Sequence, residues 1–110
     1  MTDTTDREML ELAARAAGYS LKWGKDWHDK GAPLVDDKLW NPRHDNNDSF
    51  RLAARLKLQV AFGTFTDYEA SAYEFGKPAV HVETSSNTDM EAAAREAIFL
   101  MAVEIGKGMK

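Results

Sequence analysis

His44-Asp45 and Asp48 bring one imidazole and two carboxylates close together in the chain, the donor types that a metal-dependent hydrolase would need. Asp45 and Asp48 lie about one helical turn apart, so both can face the same point. The same spacing serves a plainer purpose. An Asp before a helix accepts a hydrogen bond from an orphan backbone N–H, and an acid in the first turn meets the positive end of the helix dipole. The capping reading needs no ligand and is the simpler of the two, so no metal site is expected here. His81 and Glu83 project from one face of an alternating segment and could in principle do acid/base work. With no nucleophile or third partner in view, a cross-strand polar pair explains them better.

Two other clusters bear on binding. Arg51, Arg55 and Lys57 form the one basic group suited to phosphate, although a solvated helical face is the default reading. Trp23, Trp27 and Trp40 bracket an irregular charged stretch. Indoles near a loop can anchor a protein partner. Trp23, Trp27 and His28 are therefore the candidate protein contact, with Trp27 expected to be the most exposed indole. No P-loop, dinucleotide fingerprint, zincin helix or nucleophile elbow occurs, so the enzyme classes with the strongest motifs have no support.

The 110 residues are read as one domain with a packed core. Cysteine is absent, which removes disulfides, thiolate metal sites and a cysteine nucleophile, and fits a reducing cytoplasm. A formal net charge of -4 lowers the odds of a nucleic-acid binder, since those normally carry a basic face. The first residues are polar and acidic where a signal peptide would be basic and then apolar, and no apolar run is long enough for a membrane span.

The elements that must position these residues follow from periodicity and capping. Thr5-Asp6-Arg7-Glu8 has the spacing of a capping box, and Met9, Leu12, Ala13 and Ala16 form a stripe that predicts a helix over 6–17, with Gly18 as its stop and Glu11 paired to Arg15. Tyr19 to Trp23 alternates and reads as a short strand. Gly24 to Lys38 reads as a loop, punctuated by Gly31 and Pro33. The segment from Trp23 to Leu39, longer than joining its neighbours requires, is the expected interaction surface.

Trp40-Asn41-Pro42 then forms a stiff turn, because Pro42 fixes its own φ and holds Asn41 extended. Trp40, Asn41, Pro42, Asp45 and Asp48 are the expected structural anchor, with Trp40 in the core. A helix over 46–57 follows, with Phe50, Ala53, Leu56 and also Leu52 turned inward. Strands over 59–63, 69–75 and 79–84 make an antiparallel meander. The last helix, over 88–105, starts at a second capping box, Thr88-Asp89-Met90-Glu91, and carries a long apolar stripe. Phe99, Leu100 and Val103 lie outside that stripe and predict cover on more than one side, while Gly106 and Gly108 read as the stop. The fold class is α+β, a three-layer α/β/α-type sandwich of three helices and a meander of three to four strands.

The alanine-rich opening from Asp6 to Gly18, the Trp40-Asn41-Pro42 turn with Asp45, Asp48 and Arg51-Leu52-Ala53, and the final Ala102-Val103-Glu104-Ile105-Gly106-Lys107 occur in an order and spacing that resembles the phage ABA sandwich domain proteins. That resemblance implies helices on both faces of a sheet and a phage or prophage origin. It brings no catalytic residue and no cofactor. The function expected is a non-enzymatic accessory protein in the bacterial cytoplasm that binds a host or phage protein, with nucleic acid and membrane disfavoured. The alternatives are a small metal-dependent hydrolase using His44, Asp45 and Asp48, and a nucleic-acid module using the basic face of the second helix.

Overall fold

A computed structural model describes residues 6–24, 32–36, 38–62, 69–73, 80–83 and 90–109. Helix α1 spans Asp6–Ala17 and ends at Gly18, whose φ of 75° is left-handed. Tyr19 N–H then reaches the Ala14 carbonyl at 2.9 Å and Gly18 N–H the Arg15 carbonyl at 3.1 Å, which satisfies the last carbonyls as a Schellman stop does. Thr5, the expected cap, lies outside the described residues. Glu11 turns to Arg7 at 3.8 Å and to the Trp23 indole N–H at 3.0 Å, and not to Arg15 as its spacing suggests.

Strand β1 is Leu21–Gly24, β2 is Ala32–Val35 and β3 is Lys38–Leu39, paired antiparallel in that order. This corrects the reading of Gly24 to Lys38 as one loop. Pro33 masks the strand in the sequence because it offers no donor, yet it sits opposite Trp23 near the start of β2, where a missing N–H is tolerated. Its carbonyl still accepts the Trp40 N–H at 2.9 Å. Asp36 takes a φ of 54° to begin the tight turn that brings Lys38 back opposite Val35.

Helix α2 spans Asn46–Leu56. Trp40, just upstream, is buried at 4% exposure and meets Tyr19 edge-on, ring centres 5.9 Å apart. Leu52 and Ala53 are buried, but Phe50 is 73% exposed, contrary to the inward position expected. At about 100° per residue, Phe50 falls outside the stripe of Ser49, Leu52, Ala53 and Leu56 that meets the core. Ser49 takes the buried place instead.

Strands β4 (Gln59–Phe62), β5 (Glu69–Tyr73) and β6 (Val80–Glu83) form the expected antiparallel meander, with β5 in the middle. The register pairs Val60 with Ala72 and Ala70 with Val82. Val60, Phe62, Ala70, Ala72, Val80 and Val82 therefore share one face. Ala70, Ser71 and Ala72 are all buried, so β5 is covered on both faces.

Helix α3 spans Met90–Lys107 and packs on this meander and on α1 and α2. Phe99 and Val103 are buried along with Ala97, Met101 and Ala102, so the helix is covered around most of its girth, as its apolar excess predicts. Gly106 does not end it. The helix runs on to Lys107, and Gly106 serves a different need: it lies against the backbone of Leu12, where a Cβ would overlap the Leu12 carbonyl. Among the described residues, three helices and two three-stranded antiparallel sheets make the α+β sandwich the sequence implies, with six strands where a meander of three to four was expected. No helix among the described residues is long and apolar enough to cross a membrane.

Candidate functional site

The entrance to α2 uses its two acids on backbone donors. Asp45 is the N-cap, accepting the Asp48 N–H at 3.0 Å, and Asp48 reaches back to the Asn41 N–H at 2.9 Å. The Asp45 carboxylate is thus held by the first turn of α2 and the Asp48 carboxylate by the turn that follows Trp40, and His44 is exposed beside them. Among the described residues no three His, Asp or Glu side chains gather as a metal site.

The turn is fastened to α3 by a polar staple. Arg43 meets Glu96 through two hydrogen bonds of 3.1 and 2.9 Å, with its guanidinium 5.0 Å from the Phe99 ring centre. A planar fork on a carboxylate fixes orientation as well as distance. Arg95 adds a 3.0 Å bond to the Arg43 carbonyl and a second to Asn46, whose amide donates to Glu91 at 2.7 Å.

Beyond this staple α2, β4 and α3 enclose an apolar groove of about 470 Å³. Ala53 and Ala54 of α2, Leu58, Val60 of β4, and Ala94 and Ile98 of α3 line it, while Asn46, Glu91 and Arg95 close the polar end. Phe50 and Phe62 stand in its walls at 73% and 57% exposure. Two open phenyl rings on one apolar groove are uncommon on a surface that meets only water. Ser49 belongs to the same lining, but its Oγ is shut off from solvent and has no hydrogen-bond partner among the described residues, so a ligand in the groove cannot reach it without rearrangement.

The other expected contacts are distributed differently. Trp23 is half-buried on α1, its N–H on Glu11 and its ring under the Arg7 guanidinium at 4.2 Å. Trp27 and His28 lie outside the described residues. Of the basic trio, Arg55 is engaged: its Nε donates to the Ala17 carbonyl at 2.8 Å, closing the end of α1, and its guanidinium lies 6.0 Å from the Tyr19 ring centre. Arg51 and Lys57 stay exposed. His81 is exposed on β6, across from Ser71 and on the face away from Val80 and Val82. Sequence reasoning missed Ala54, Leu58 and Phe62 as a set, since nothing local announces that a helix and an edge strand will line one groove. The helical position of Phe50, off the core stripe, was the one available signal.

No known protein family matches the chain, and neither curated proteins nor solved structures give a match.

Proposed function

We propose that this chain is a phage- or prophage-encoded accessory protein that works in the bacterial cytoplasm as a non-enzymatic module, binding a host or phage protein. The observation that carries this reading is the apolar groove between α2, β4 and α3, with Phe50 and Phe62 open beside it. Its volume is that of a binding pocket, and phenyl rings at a surface groove are the anchors protein interfaces favour. The phage origin in this proposal rests on the sequence resemblance to the phage ABA sandwich proteins alone. The carboxylates of Asp45 and Asp48 are occupied with backbone donors, which favours a structural over a metal-binding role for them.

The test compares two full-length baits in capture from bacterial lysate. Wild-type chain should retain a protein that an Ala54→Trp chain, with the groove filled, does not. Ala54 is exposed, so this variant should melt as the wild type does. Equal retention by both baits would place the contact elsewhere.

A further inference from the structure

We infer that the groove's occupant is a β-strand: an extended segment of a partner protein that adds to the open edge of β4 and turns alternate apolar side chains onto α2. This rests on the groove being the binding surface. In the order β4-β5-β6, β4 has β5 on one side and no strand on the other among the described residues. In an antiparallel ladder, alternate residues of such an edge strand point their N–H and C=O groups away from the sheet. An occupant that filled the groove with apolar groups alone would cover those groups and leave them unpaired, which is costly. A strand satisfies them with its own main chain.

The side-chain geometry agrees. Val60 and Phe62 lie on the meander face that also carries Ala72 and Val82. A strand added beside β4 shares the pleat, so every second side chain points to that same side, where Phe50, Ala54 and Ile98 wait. Arg51 and Lys57 are exposed on and just after α2, next in the chain to Phe50 and Leu58 of the groove lining. They favour a segment flanked by Asp or Glu. The partner class is thus an acidic-flanked extended peptide of alternating apolar residues.

The experiment selects binders to the full-length chain from a displayed library of random peptides about nine residues long. Expected are sequences with apolar residues at every second position and acids at the ends. Synthetic versions should lose at least about tenfold in affinity when one alternating set of their backbone amides is N-methylated, and little when the other set is. Peptides blocked by Ala54→Trp yet indifferent to N-methylation at every position would overturn strand addition and leave the groove reading standing. Selected peptides that bind Ala54→Trp as well as wild type would remove the groove itself. Failure to select any peptide overturns the proposal. So does a library outcompeted by single-stranded DNA, or by self-association of the chain in sedimentation.

Discussion

Gly106 of α3 lies directly on the backbone of Leu12 in α1, so close that a Cβ there would overlap the Leu12 carbonyl. This approach lets two alanine-rich helices meet at short range, with Ala13, Ala17 and Ala102 buried in the same cluster. The obstacle to any larger residue is backbone, which cannot rotate away as a side chain can.

Gly106→Ala should therefore destabilise by on the order of 3 kcal/mol, although alanine is the better helix former. Gly108→Ala is the control, since its Cβ would meet the nearest carbonyl at an ordinary 3.5 Å. Urea titrations of the two variants would separate them. Equal midpoints would show that the helices part without strain.

Trp40→Ala should cost on the order of 3 to 5 kcal/mol, because the indole is buried against Tyr19 and the Pro42 turn holds the site open. Thermal unfolding reads this directly. An unchanged melting temperature would make the indole peripheral.

Arg43 and Glu96 should show coupling of about 1 kcal/mol in a double-mutant cycle, given their two-bond geometry and partial burial. Arg43→Ala should cost more than Glu96→Ala, since it also removes the contact with Phe99. Additive single effects would reduce the pair to a surface contact.

Lys57 caps α2 with a left-handed φ of 57°, a conformation that strains any residue with a Cβ. Lys57→Gly should raise stability by about 0.5 to 1 kcal/mol. Ser49→Ala, which deletes a buried hydroxyl without a partner among the described residues, should be neutral or stabilising. A loss of stability in either variant would contradict these readings.

The sequence made the helices and the meander legible because their signals are local. Asp45 and Asp48 announce α2, Gly18 ends α1, and Val80 and Val82 alternate with His81 and Glu83. What stayed hidden depends on neighbours distant in the chain. A glycine near a helix end looks the same whether it stops the helix or admits another backbone, so Gly106 was read as a stop. Pro33 hid β2 because its cost as a strand residue shows locally while its partner Trp23 does not. The groove was the least legible feature. Phe50 and Phe62 belong to different elements, and only the packing of α2, β4 and α3 brings them to one groove.

The central claim, that the groove is the contact surface, is tested most directly by methyl NMR of the full chain titrated with the unlabelled protein recovered by capture. The methyl groups of Ala54, Leu58, Val60 and Ile98 should shift or broaden in step with binding. Silence at those positions, with the response confined to the methyl groups of Leu21, Leu34 and Val35, would contradict it and move the site to the sheet of β1 to β3.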